Sequence, residues 1–252
     1  MSVIPGAEAF TRDGGPVGVL LCHGFTGTPQ SLRPWAEYLC DAGLTVSVPR
    51  LPGHGTTWQE MNRTRSEDWF AEAERSFEEL RGKTDEIFLM GLSLGGCIAL
   101  RIAELRGAAV RGLVVVNPSI TADTKLFWFA PVMKLFVPSL KGIASDIKKQ
   151  DAQELGYNRV PVKAAATLPR LWRATRDGLD QLSQPVLAYR STEDHVVGPL
   201  SMRLLTDALP ASQLTVRDCQ NSYHVATLDN DAATIFSGSL EFVRAHSAAL
   251  KE

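Results

Sequence analysis

The sequence predicts an α/β fold, with a mostly parallel central sheet flanked by helices, on three observations. Short apolar runs alternate with amphipathic helical segments along most of the chain. One of these runs, VGVLLC at Val17–Cys22, has no polar position, as expected of a strand covered on both faces. The alternation then breaks once, at about residues 119–183, where no clear strand occurs although a βα unit needs one sooner.

The elements follow in order. After Val17–Cys22, Thr28 and Pro29 suit an N-cap and first helical position, and Gly43 suits the stop of that helix. Thr45–Val48 is a second strand. Ser66 can cap a helix whose apolar positions Trp69, Phe70, Ala73, Phe77 and Leu80 keep a helical period, with Glu67 and Asp68 in its first turn. Glu86–Met90 reads as a strand, Gly95–Arg106 as a helix and Gly112–Val116 as a strand. Pro185–Arg190 and Gln213–Val216 read as two more strands, followed by helices near Leu200–Leu209 and Ala232–Ala245. The break at 119–183 is expected to be a cap over the carboxyl edge of the sheet, where open α/β sheets bind ligands. Within it the segment PRLWRATRDGLDQL has a helical pattern. One domain of 252 residues with an insertion fits the length better than two.

Composition removes several classes of function. Lys plus Arg number 26 and Asp plus Glu 28, a net charge of −2, so no basic footprint marks a nucleic-acid binder. Cys22, Cys40, Cys97 and Cys219 show neither CxxC spacing nor a pairing with His that suggests zinc. The N-terminal residues MSVIPGAEAFTRDGG lack a basic region followed by an apolar one, so no signal peptide is expected. Nor does any uncharged run reach the roughly 18 residues of a membrane span. A reducing, cytoplasmic setting is the expectation.

The chemistry centres on GLSLGG at Gly91–Gly96, which matches G-x-S-x-G between a strand and a helix. A serine on that sharp turn projects its hydroxyl into a cleft, and the helix behind it points its N-terminal dipole at developing negative charge. Ser93 needs a base. Among the five histidines, His224 lies in a loop after the last strand, whereas His23 and His54 sit in HGF and GHG turns before the serine. His195 belongs to the loop of the acidic residue before it, and His246 to a helix surface. Asp194, after the strand PVLAYR, suits the carboxylate that orients the base; Glu193 is the rival, and a turn or cap role is the alternative for Asp194. The order Ser93, Asp194, His224 is that of the α/β-hydrolase fold. An oxyanion hole would then use the N–H of Leu94 and, from HGF, that of Phe25.

HGFTGTPQS (His23–Ser31), RLPGHGT (Arg50–Thr56), GLSLGG, STEDHVV (Ser191–Val197) and NSYHVATLDND (Asn221–Asp231) together resemble bacterial monoacylglycerol lipases and the related carboxylesterases. The blocks span nearly the whole chain. The resemblance implies a triad of Ser93, Asp194 and His224, an oxyanion hole from Phe25 and Leu94, and no cofactor or metal. It also implies that an acidic residue of the cap contacts glycerol, and Glu154 is the one that matches. The alternative for Glu154 is a solvated helix face. The same triad could serve general carboxylesters, thioesters or carbon–carbon bonds, since fold does not fix substrate.

Leu126, Phe127, Trp128, Phe129, Met133, Leu135, Phe136 and Val137 form an apolar cluster around Lys134, punctuated by Pro131 and Pro138. It reads as the wall of an acyl tunnel with a face that touches lipid aggregates or a membrane surface, or as packing of the cap onto the sheet. The expected partner is a small lipid ester. An exposed apolar face would equally suit another subunit.

Overall fold

The computed structural model describes residues 2–123, 135–142 and 145–250. Seven strands form one sheet: β1 (Phe10–Arg12), β2 (Val17–Cys22), β3 (Thr45–Val48), β4 (Glu86–Leu92), β5 (Gly112–Val116), β8 (Val186–Ser191) and β9 (Leu214–Cys219). Their spatial order is β1-β3-β2-β4-β5-β8-β9. All neighbours are parallel except β1, which pairs antiparallel with β3 through Phe10 opposite Val48.

Period-two alternation sends successive side chains to opposite faces. In β2 and β4, Leu20 and Leu89 enter one buried cluster, while Val19, Leu21, Phe88 and Met90 enter the other. Helix α1 (Arg33–Asp41) and the C-terminal helix (Ala232–His246) cover the second cluster through Trp35, Leu39, Ile235 and Val243. After the short α2 (Trp58–Met61), α3 (Ser66–Arg81) covers the first cluster through Trp69, Ala73 and Phe77, together with α4 (Leu94–Arg106). Each such Leu or Phe contributes about 1.5–3 kcal/mol on burial, so the two-sided sheet is where the stability resides.

Several elements differ from the sequence expectation. Thr28 does take the N-cap position and Pro29 does open the first helical segment, but Pro29–Leu32 is a 3₁₀ turn before α1 begins; the helix then stops at Asp41, with Gly43 just past its end at a φ of +90° that glycine tolerates well, as expected. Ser66 is the first residue of α3 rather than its cap. Its Oγ donates to the carbonyl of Thr167 at 3.1 Å, tying the helix to the insertion, while the Arg65 N–H donates to Asp68 Oδ2 at 2.9 Å. The stretch between β5 and β8 does contain strands: β6 (Ser139–Lys141) and β7 (Arg159–Pro161) pair antiparallel as a separate two-stranded sheet. The helical pattern of Pro169–Leu182 appears as a helix over Leu168–Arg176 and a 3₁₀ turn over Leu179–Gln181. That helix lies against α4, where Cys97 Sγ meets Thr175 Oγ1 at 3.3 Å. The arrangement is an α/β-hydrolase fold, as the order of the candidate residues implies. Among the described residues no helix is long and apolar enough to cross a membrane.

Candidate active site

The candidate residues emerge from the carboxyl ends of parallel strands, two on each side of β5: Phe25 after β2 and Ser93 after β4, Asp194 after β8 and His224 after β9. All four line one cavity of about 570 Å³, together with Glu154 from the insertion. That volume suits a small ligand or one acyl chain.

Ser93 sits at φ 56° and ψ −118°, a conformation that a side chain strongly disfavours. The surrounding backbone holds it there. Its N–H donates to the carbonyl of Val116 at 2.9 Å, and its own carbonyl accepts from Gly96 at 3.0 Å and Ser119 at 3.1 Å. The flanking glycines are required by contact: a Cβ on Gly95 would lie 1.8 Å from the carbonyl oxygen of Cys22, and one on Gly91 would lie 2.3 Å from that of Gly95. The first turn of α4 therefore crosses the end of β2 at backbone distance. A Cβ on Gly24 would stand 3.4 Å from Cβ of Ser93, so the HGF turn and the serine turn abut. Leu94 is the first residue of α4, and its N–H is among those a helix cannot satisfy internally.

His224 Nδ1 lies 2.8 Å from Asp194 Oδ2. Both residues are largely buried, with side chains 7% and 8% exposed. Asp194 Oδ1 accepts from the N–H groups of Val196 and Val197, each at 2.8 Å, which is the turn role that Asp favours. Burial would raise the pKa of Asp194, but the hydrogen bond and charge of His224 and the two N–H groups outweigh it and hold the carboxyl below its ordinary value. Glu193, the rival acid, is half-exposed and pairs instead with Lys148 at 3.5 Å.

His23 and His54 belong to the packing. Burial lowers His23 to about 4, and its Nε2 accepts the N–H of Leu51 at 3.2 Å. Burial likewise holds His54 well below the ordinary histidine value. Both rings pack edge-on, with His54 also against Phe25 and Trp69. The ring of Phe25 thus anchors its own loop.

Glu154 is half-buried against the HGF loop; a Cβ on Gly27 would lie 2.5 Å from its Oε1. It lies in a strap of the insertion docked on that loop. Gln30 donates to the carbonyl of Gln153 at 3.1 Å and accepts from the N–H of Leu155 at 2.9 Å, and Thr28 donates to the carbonyl of Leu155 at 2.9 Å. Burial pushes Glu154 up to about 7, against the opposing effects of His224 and Ser31. It is thus no solvated helix face.

Leu126, Phe127, Trp128, Phe129, Pro131, Met133 and Lys134 lie outside the described residues. Leu135 and Phe136 are 73% and 80% exposed.

Sequence reasoning missed two residues that join the loops. Asn117 Nδ2 donates to Ser191 Oγ at 2.9 Å and to the carbonyl of His224 at 2.8 Å, and its Oδ1 accepts the N–H of Ser191 at 2.7 Å. Its φ of +45°, where Asn is commoner than most side chains, is forced by this position at the end of β5. The N-P dipeptide signals the turn but not the network. Asp146, the second, accepts from the N–H groups of both His195 and His224.

A hydroxyl on a constrained turn at a helix N-terminus, in the same cavity as an imidazole held by a carboxylate, is equipped to attack a carbonyl carbon and to move the proton released.

Comparison with known proteins finds hydrolases similar to this chain along most of its length. The family model described as serine aminopeptidase, S33, matches residues 17–231. The chain is 40% identical to a thermostable monoacylglycerol lipase of Bacillus sp. (strain H-257), over 97% of each chain. It is 25% identical to a carboxylesterase of Bacillus subtilis (strain 168), over 94% of this chain and 96% of that one. A structure solved in work on LipS and LipT, two metagenome-derived lipolytic enzymes, superposes with a TM-score of 0.94 at 37% identity, covering 97% of this chain and 100% of that one.

Proposed function

The chain belongs to the serine aminopeptidase S33 family of hydrolases, and within it we propose that this enzyme cleaves monoacylglycerols to glycerol and a fatty acid through an acyl-enzyme intermediate. The observation that carries the mechanism is the 2.8 Å contact between His224 Nδ1 and Asp194 Oδ2 in the cavity that Ser93 also lines.

Ser93 Oγ attacks the ester carbonyl carbon while His224 Nε2 takes its proton, and Asp194 holds the imidazole in the tautomer this requires. The carbonyl oxygen, now negative, lies between the N–H groups of Phe25 and Leu94. The carbon–oxygen bond to glycerol breaks as His224 returns the proton to the leaving oxygen. Water then attacks the acyl-serine, giving its proton to His224, and the fatty acid leaves as Ser93 is reprotonated.

Two features of the cavity favour a neutral alcohol with an apolar acyl chain. Its described lining carries three carboxylates, Asp123, Asp146 and Asp194, and the carboxyl of Glu154 against one ammonium, Lys141, which disfavours phosphate-bearing leaving groups such as coenzyme A. Leu92, Val160, Leu168, Trp172 and Val225 are among its apolar groups. Glu154, on the strap beside the oxyanion loop, is placed to hydrogen-bond glycerol hydroxyls. Exposed Leu135 and Phe136 support contact of the insertion with lipid aggregates, and the four free, buried cysteines suit a reducing, cytoplasmic setting.

The test is Ser93→Ala, which should lose roughly 10³-fold or more of the activity while remaining folded, and should no longer react with a fluorophosphonate probe that labels the unmodified enzyme. Substantial residual turnover would overturn the assignment of the nucleophile.

A further inference from the structure

Asp146 lies in the insertion, far in sequence from the strands of the site, yet its side chain is only 9% exposed because it is folded between two site loops. Oδ2 accepts the backbone N–H of His224 at 3.1 Å and that of His195 at 3.2 Å. Oδ1 is 2.8 Å from His195 Nδ1, and the Asp146 carbonyl accepts the N–H of Val225 at 3.0 Å. The tie is reciprocated: Asp229, on the His224 loop, accepts from the N–H groups of Lys148 and Tyr223 at 2.7 and 2.9 Å and from that of Lys149 at 2.8 Å.

Because His195 directly follows Asp194, these contacts close a ring. It runs from the Asp194 side chain to the His224 imidazole, through the His224 N–H to Asp146, through the His195 N–H and back to Asp194. Every link is a hydrogen bond or a covalent neighbour, so the two backbone segments that carry the base and its acid share one carboxylate oxygen. Carboxylate acceptors make stronger, shorter bonds than neutral ones, which suits a fixed spacer.

We propose that Asp146 is a positioning residue, which through the backbone N–H groups of His224 and His195 sets the distance between the base and the carboxylate of the triad. The inference rests on the triad proposed above. The remaining groups facing His195 are the Tyr223 ring at 4.6 Å, Glu193 at 3.7 Å and the charge of Asp194. His195 itself is half-exposed, and its pKa is raised by the hydrogen bond and the charge of Asp146. That shift is consistent with an anionic partner.

The experiment compares Asp146→Ala and Asp146→Asn with the unmodified enzyme on p-nitrophenyl butyrate, with Ser93→Ala alongside and Tm measured for each. Misplacing a catalytic group slightly costs up to about 100-fold in rate. Asp146→Ala should therefore lose ~10–100-fold in kcat with KM within about threefold, and fluorophosphonate labelling of Ser93 should slow in parallel. Asp146→Asn, which keeps an oxygen for both N–H groups, should recover most of kcat. An unchanged kcat in Asp146→Ala, a loss confined to KM, or a loss that disappears on cooling below Tm would each overturn the proposal. An Asn variant as impaired as Ala would do the same. If Asp146→Ala does not fold, Asp146→Glu keeps a carboxylate but lengthens the spacer by one methylene and should lower kcat several-fold with KM little changed; an unaltered kcat there overturns the clasp. Turnover persisting in Ser93→Ala would instead sink the triad and the clasp together, whereas a dead Ser93→Ala with a fully active Asp146→Ala would sink the clasp alone.

Discussion

The carbonyl of His224 accepts a hydrogen bond from Asn117 Nδ2 at 2.8 Å, which ties the loop carrying His224 to the end of a central strand more than a hundred residues earlier in the chain. The same side chain also bonds Ser191 in both directions, and Ser191 Oγ donates to the carbonyl of Tyr223 at 2.7 Å. Three carboxyl ends of the sheet, β5, β8 and β9, thus converge on one buried amide.

Asn117→Ala should therefore destabilise the fold and the site together. It strands the Ser191 N–H and the His224 carbonyl in a buried place, at about 1–3 kcal/mol for each unsatisfied group. With a shift of roughly 2–4 °C per kcal/mol for a chain of this size, Tm should fall by several degrees. The kcat on p-nitrophenyl butyrate should fall as well. Thermal unfolding and steady-state kinetics matching the unmodified enzyme would contradict the role given to this network.

Ser93→Gly should abolish activity and raise stability. A non-glycine residue at φ 56° and ψ −118° stores about 1–3 kcal/mol of backbone strain, which glycine relieves. Against this stands a gain in unfolded-chain entropy worth about 0.5–1 kcal/mol. The difference favours the variant by on the order of 1 kcal/mol, so calorimetry should find a higher Tm. A lower Tm would mean that Ser93 is not strained.

Glu154 should give monoglyceride turnover a pH dependence that a simple ester lacks. With its pKa raised to about 7, the group is mostly neutral below pH 7 and a carboxylate above it. Only the carboxylate is a pure acceptor for glycerol hydroxyls. KM for a monoacylglycerol, relative to that for p-nitrophenyl butyrate, should thus decrease as pH rises through 7, and Glu154→Gln should remove the dependence. Stability supplies the second sign. A carboxyl whose folded pKa exceeds its unfolded value gives up stability as pH rises from about 4.5 to 7. Glu154→Gln should therefore raise Tm at pH 8 and change it little at pH 4. A Tm difference of the same size at both pH values would show that the carboxyl does not titrate in this way.

What the sequence disclosed and what it hid divide along physical lines. Val17–Cys22 and Gly112–Val116 were legible because a strand buried on both faces must be apolar throughout. Ser93 was legible because the glycines around it are demanded by backbone contact. By contrast Phe10–Arg12 is a three-residue edge strand with only Phe10 partly buried, and no periodicity can develop over that length. Leu214–Cys219 runs three residues beyond the expected Val216, because its middle positions are exposed at the sheet edge and read as polar loop. The pairing of Ser139–Lys141 with Arg159–Pro161 joins segments separated by a polar stretch, so neither looks like a strand alone. Asn117 and Asp146 were hidden for another reason. Their importance lies in which backbone groups their side chains reach, and that is fixed only when distant loops are brought together.

The most direct measurement is a set of initial hydrolysis rates for monolauroyl, dilauroyl and trilauroyl glycerol, with p-nitrophenyl butyrate alongside. The account predicts strong preference for the monoacylglycerol, with Glu154→Gln lowering that rate far more than the rate on butyrate. Fast butyrate cleavage with little monoacylglycerol turnover would contradict it, leaving a general carboxylesterase with no glycerol site.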